Sequence, residues 1–147
     1  MILVDTNILV YAINADAPCH EISRALVEAV YSKKVSGVLV PQILLEFFAI
    51  VTDPRRISRP LGTQVAWEQV ETFMMAFPVL DGGLKALEHL KGLLSEKGIK
   101  GSEVFDAFLV AQMKALEISV VCTYNTKDFI SYQGILVKTP EEILEGA

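Results

Sequence analysis

The sequence predicts an α/β protein, a three-layer α/β/α sandwich with helices on both faces of a central parallel sheet. Short β-prone runs recur along the chain at MILV (1–4), VLV (38–40) and SVVC (119–122). The stretches between them are long and periodic enough to be helical crossovers, which place strands parallel. Size agrees: 147 residues, 52% hydrophobic and without repeat or low-complexity tract, suit one compact domain over 1–147 with a sizeable core.

The elements follow in order. MILV is the first strand, and NILVYAINA begins a helix with Asn7 near its cap. From Cys19 to Ser32 a helix is expected, because Ile22, Leu26, Ala29 and Val30 share a face that Glu21, Arg24 and Glu28 avoid. Gly37 breaks the chain, VLV is a buried strand, and Pro41 suits the first position of a helix over QILLEFFAIV. TDPRRISRPLG is a polar loop. Helices from Thr63 to Met75 and from Leu84 to Lys97 flank a short strand at PVL (78–80), with Gly98 as a stop. Gly101 and Ser102 form a turn and N-cap for EVFDAFLVAQMKALE, SVVCT is a clear strand, and in TPEEIL Thr139 and Glu142 stand at capping-box spacing.

Composition excludes several classes. No apolar run approaches the roughly 18 residues of a membrane-spanning helix, and the N-terminus has no basic, cleavable leader, so no membrane partner is expected and the localisation expected is cytoplasmic. Cys19 and Cys122 lie far apart, without C-x-x-C or a histidine at ligand spacing, and read as buried small hydrophobes. A formal charge of −5 argues against holding nucleic acid by overall positive potential. Any such binding must be local or metal-assisted.

Chemistry-bearing residues concentrate at the strand ends. In an open parallel sheet ligands bind outside the carboxyl ends of the strands, and Asp5 stands at that end of the first. Its bland alternative is to cap the next helix. Glu46 sits inside PQILLEFFAIV, where a helix has no broad polar face for it, so it is partly buried and needs donors or a cation such as Arg55. Asp106 repeats the pattern in EVFDAFLVAQM, the alternative being a favourable charge near the helix N-terminus. In TYNTKDF, Asn125 and Asp128 follow a strand at the same sheet edge, unless they are ordinary turn residues. Acidic oxygens on separate elements at one edge suit a hard cation, Mg²⁺ or Mn²⁺. Thr6, Asn7 and Thr123 lie beside the acids and either orient a ligand or cap their elements.

Arg55, Arg56 and Arg59 are the densest basic patch and the candidate phosphate contacts, with pairing to Asp53 and other surface acids as the alternative. Lys97 and Lys100 are weaker candidates of the same kind. His20 and His89 lie outside the acidic motifs, which gives no support to a histidine acid–base pair. Phe47, Phe48, Phe105 and Phe108 belong to helical apolar runs and read as core. A mean hydropathy of +0.41 is high for such a chain and points to an apolar interface. The Thr63 to Met75 helix with Trp67 is the candidate, packing on the sheet being the alternative.

The segments V-D-T-N-I-L, P-Q-I-L-L-E, F-D-A-F-L-V-A and T-Y-N-T-K-D-F, in that order over nearly the whole chain, resemble the PIN-domain ribonucleases, and in particular single-domain VapC-type toxins. The TDPRR loop and the closing V-K-T-P-E-E-I-L are similar too. The resemblance implies a metal-dependent endoribonuclease of α/β/α fold, often dimeric and held inactive by a cognate antitoxin. It implies that Asp5, Glu46 and Asp106 are the acidic cluster. Many members carry aspartate where this chain has Asn125, with a second acid nearby like Asp128. The expected chemistry is hydrolysis of RNA phosphodiesters with Mg²⁺ or Mn²⁺ at Asp5, Glu46, Asp106, Asn125 and Asp128. Two rivals remain: a catalytically silent PIN-like interaction module, and a phosphatase or phosphotransfer domain, whose haloacid-dehalogenase pattern wants an acid where Asn7 stands.

Overall fold

A computed structural model describes residues 1–147. Four strands form one parallel sheet in the order β2-β1-β3-β4, namely β1 (Ile2–Val4), β2 (Gly37–Val38), β3 (Val120–Cys122) and β4 (Leu136–Lys138). β1 is central, pairing Ile2 and Leu3 with Gly37 and Val38 on one side and Ile2 to Val4 with Val120 to Cys122 on the other. Leu3, Val4, Val38, Val121 and Cys122 are buried, as expected of strands covered on both faces.

The seven helices are α1 (Thr6–Ile13), α2 (His20–Tyr31), α3 (Pro41–Val51), α4 (Thr63–Ala76), α5 (Gly83–Lys97), α6 (Glu103–Ala115) and α7 (Pro140–Glu145). Their main contacts divide them into two groups: α1 to α4 with α7, and α5 with α6. The path from β1 through α1 and α2 to β2 runs outward in the sheet, whereas the connection from β2 to β3, which carries α3 to α6, returns past β1; the division falls within that connection, where Gln42 of α3 meets α6. The result is the α/β sandwich the sequence predicts.

Several details depart from the sequence reading. Helix α1 starts one residue earlier than expected and is capped by Asp5, not Asn7, with Asp5 Oδ1 accepting from the Thr6 N–H. The run VLV forms a ladder only through Val38, and PVL contributes one bridge, Leu39 to Val79, because Pro41 begins α3 at once and Pro78 has no N–H to extend the pairing. Strand β4 comes from LVK, three residues too short to stand out. Ser102 holds the N-cap position of α6 without a side-chain cap, its backbone being already helical. The capping box at Thr139 and Glu142 forms as its spacing requires. Cys122 is buried and Cys19 half-buried, both as free thiols.

Candidate active site

The sheet order sets the location. β1 has β2 on one side and β3 on the other, reached by connections of opposite direction, and ligands bind at such a switch point beyond the carboxyl ends of the strands. Asp5 follows β1 there and Thr123 follows β3.

Asp5 is 6% exposed and held from three sides. Its Oδ1 accepts from the Thr6 N–H at 2.8 Å, and its Oδ2 accepts from the Thr123 hydroxyl at 2.8 Å and from Asn7 Nδ2 at 3.2 Å. Thr123 Oγ1 also accepts from Asn7 Nδ2 at 3.0 Å and from the Asn125 N–H at 2.9 Å, while Asn7 Oδ1 accepts from the Tyr124 N–H. Asn7 and Thr123 thus splice the ends of β1 and β3 around one carboxylate. The capping alternative for Asp5 is correct as far as it goes, since the same side chain caps α1 and faces the edge. Thr6 supplies its amide, and its hydroxyl is buried without a partner.

Three further acids come from other elements. Glu46 is half-buried on α3, and Gln42 one turn earlier donates to its Oε1 at 2.7 Å. The ion pair with Arg55 is absent: Arg55 binds Asp53. Asp106 lies in the first turn of α6, half-buried, with no hydrogen-bond partner for its carboxylate, and Asp128 is exposed in the one-turn helix Thr126–Asp128 after β3. The four charges act on one another. Burial raises the Asp5 carboxyl, the hydrogen bonds from Thr123, Thr6 and Asn7 oppose this, and the Asp128 charge adds to it. Burial raises Glu46 too, against the Gln42 bond and with the charges of Asp5 and Asp106. Asp106 is pushed up to about 6 by burial and then by Asp128, Asp5 and Glu103. No basic side chain pairs with any of the four; the ion pairs of the molecule are Arg24–Glu28, Arg55–Asp53 and Arg59–Asp16. Asn125 is linked to Asp5 only through Thr123, whose hydroxyl oxygen accepts from the Asn125 N–H; the Asn125 side chain is exposed and makes no hydrogen bond.

In the arginine loop two of the three residues make the pairing with surface acids that was the alternative to phosphate contact. Arg55 is bound to Asp53 and Arg59 to Asp16 by two or more hydrogen bonds each, beyond the far end of α3, and both acids are held below the usual carboxylate range by those guanidinium groups. Arg56 is exposed on the same loop and is in no ion pair. Sequence reasoning missed Gln42 and Gln112. Gln42 joins α3 to α6, donating to the Phe105 carbonyl at 3.0 Å and accepting from the buried Gln112 at 2.9 Å. The four-residue spacing of Gln42 and Glu46 was the available signal. Two clefts flank the acids: a groove of about 530 Å³ between α3 and α6 beside Glu46, and one of about 260 Å³ lined by Asp106 and Asp128.

The family model for the PIN domain matches residues 2–134. The chain belongs to the PIN-domain family. This PIN domain is 31% identical to ribonuclease VapC43 of Mycobacterium tuberculosis over 142 residues, 95% of each chain. Its backbone matches the VapBC structure from Salmonella typhimurium bound to DNA, at a TM-score of 0.68 and 21% identity over 95% of this chain and 97% of that one. It also matches a toxin–antitoxin complex from Klebsiella pneumoniae at a TM-score of 0.63 and 19% identity, covering 95% and 98%. No helix of the PIN domain is long and apolar enough to cross a membrane.

Proposed function

We propose that this PIN domain is an endoribonuclease that hydrolyses RNA phosphodiesters with Mg²⁺ or Mn²⁺, and that it is the toxin of a toxin–antitoxin pair, homodimeric and restrained by a cognate antitoxin. The observation that carries the chemistry is the grouping of Asp5, Glu46, Asp106 and Asp128, from four elements, at one sheet edge with none of them in an ion pair. Ribonuclease VapC43, similar over 95% of both chains, supports the substrate class, and the toxin–antitoxin complex from Klebsiella supports the partner.

The donor set fits a hard cation. All the donors are oxygens, and Asp5, Glu46 and Asp106 are raised first by burial and then by one another's charge, the second of which a divalent ion would relieve. No three of the molecule's acidic, histidine or cysteine side chains stand close enough together to hold a metal ion by themselves, so an ion at this edge would need waters to complete its shell. Asp5, Asp106 and Asp128 would hold it, with Glu46 beside them and Asn125 able to offer a carbonyl oxygen. When bound, such an ion supplies a nucleophile at neutral pH and stabilises charge on the attacked phosphate. The chain does the positioning. Thr123 and Asn7 fix the Asp5 carboxylate so that no rotamer freedom is lost on binding, and Gln42 fixes one oxygen of Glu46 and leaves Oε2 to accept a proton or a water. Asp106, pushed up to about 6, is mostly ionised at neutral pH and would meet a cation there as a carboxylate.

The test is cleavage of a single-stranded RNA by the purified protein. Mg²⁺ or Mn²⁺ should support it and EDTA should stop it, while Asp5→Asn and Asp106→Asn should lose about 10²-fold or more with the fold intact, the scale of removing a transition-state charge partner. Asp128→Ala should cost more than Asn125→Ala, because a carboxylate gives a hard cation full charge and an amide only a dipole. Cleavage unchanged in both asparagine variants refutes the proposal.

A further inference from the structure

The cleft that holds Asp106 and Asp128 does not end at the acids. Lys97, Ser131 and Tyr132 line it, and the same three residues line a second, larger cleft of about 420 Å³ between α5, the later part of α6 and residues 131–133. The two therefore form one groove leading away from the acidic edge. Three lysines mark its course: Lys127 beside Asp128, Lys97 at the shared wall, and Lys114 in the far cleft.

These ammonium groups differ from the arginines in two respects. None is in an ion pair. Two are also held in place by neutral groups, so their charge stays available: Lys97 Nζ donates to Ser131 Oγ at 2.8 Å and stands 4.4 Å from the centre of the Tyr132 ring, and Lys114 Nζ donates to the Gln133 carbonyl at 3.0 Å. Each keeps further N–H donors for a ligand. Glu88 and Glu96 line the far cleft as well, so the groove is no general anion funnel, and its cations act singly along a path. The ligand chemistry that matches is a chain of phosphates spaced along a flexible backbone, entering a site built to cut a phosphodiester.

We propose that the RNA strand on one side of the scissile phosphate runs from the acidic edge through the α5–α6 groove, its phosphates on Lys127, Lys97 and Lys114 in place of the Arg55–Arg59 loop. The proposal rests on the nuclease reading. It makes the three lysines positioning residues for the substrate, and it explains how a chain of charge −5 holds RNA locally.

The experiment measures binding of a fluorescein-labelled single-stranded RNA to the Asp5→Asn protein by anisotropy over a series of salt concentrations, beside cleavage by the wild type. Lys97→Ala, Lys127→Ala and Lys114→Ala should each weaken binding several-fold at low salt, and each should lower the slope of log K against log salt by about 0.7, one single-strand phosphate contact. Arg56→Ala should change neither. Lys97→Gln, with melting temperatures for every variant, separates lost charge from lost packing on Tyr132. If the wild type cuts RNA and all three lysine variants keep its affinity and salt slope, the track is wrong and the nuclease reading stands. If the wild type neither binds nor cuts RNA, the nuclease reading fails and the track falls with it.

Discussion

An acid in the first turn of a helix ordinarily ionises more readily than a free one, yet Asp106 is pushed up to about 6. Burial and three neighbouring acids outweigh the helix dipole there. The folded chain thus holds a proton that the unfolded chain, with an ordinary carboxyl near 3.8, has released. Without a cation the folded state is therefore penalised as pH rises from about 4 through 6, and the penalty stays above that window. The group is half exposed, so solvent screening leaves it about 1 kcal/mol, or roughly 4 °C for a chain of this size. Asp106→Asn should accordingly raise the melting temperature of the metal-free protein at pH 7.5 and leave it unchanged at pH 4; a fall at pH 7.5 would show that the carboxylate is satisfied. This strain was half legible in the sequence. A single carboxylate in an apolar helical run, as at Glu46 and Asp106, announces burial, and Asp5 at a strand's end announces the edge. The arginine loop was legible in part: the pairing of Arg55 with Asp53, two residues away, is the alternative the sequence offered, whereas Asp16, which binds Arg59, lies 43 residues away.

At the scale of elements, the site depends on how α3 and α6 meet. Gln42 ties Glu46 to the Phe105 carbonyl and to Gln112, so one amide sets both the orientation of an acid and the spacing of two helices. Gln42→Leu removes the donor that lowers the Glu46 carboxyl and takes one of two acceptors from the buried Gln112 amide, which keeps the Phe108 carbonyl. It should cost about 1–2 kcal/mol in urea unfolding and move the acidic limb of the cleavage profile to higher pH. An unchanged midpoint with an unchanged profile would mean that the amide network is replaced by water. The strands were less legible than the helices. Helix periods run over eleven or more residues in α2 to α6, whereas no strand exceeds three, and β4 gave no pattern until its pairing with β3 was seen.

For the whole molecule, one continuous core of 33 buried residues spans the sheet and both helical groups, which supports the proposal that 1–147 folds as a single domain. The apolar excess is divided. Ala66, Val70 and Phe73 of α4 are buried, as the packing alternative requires, but Trp67 and Met74 stand about half exposed on one stripe two turns apart. Leu45 on neighbouring α3 is 62% exposed. That residue set supports the proposed homodimer through α3 and α4. Light scattering at micromolar concentration should give twice the monomer mass, and Trp67→Glu should give the monomer with its fold intact. A monomeric wild type contradicts the dimer, and a dimeric Trp67→Glu protein moves the interface elsewhere.

The acidic edge as a cation site is the claim on which the rest depends, and calorimetric titration with Mn²⁺ at pH 6, where Asp106 still carries much of its proton, tests it most directly. The wild type should bind with a heat that varies with the buffer's own ionisation enthalpy, because cation entry drives a proton off Asp106 and its neighbours. Asp5→Asn and Asp106→Asn should weaken binding at least tenfold. A wild type that shows no heat of binding at millimolar Mn²⁺, or variants that bind as it does, would contradict the account.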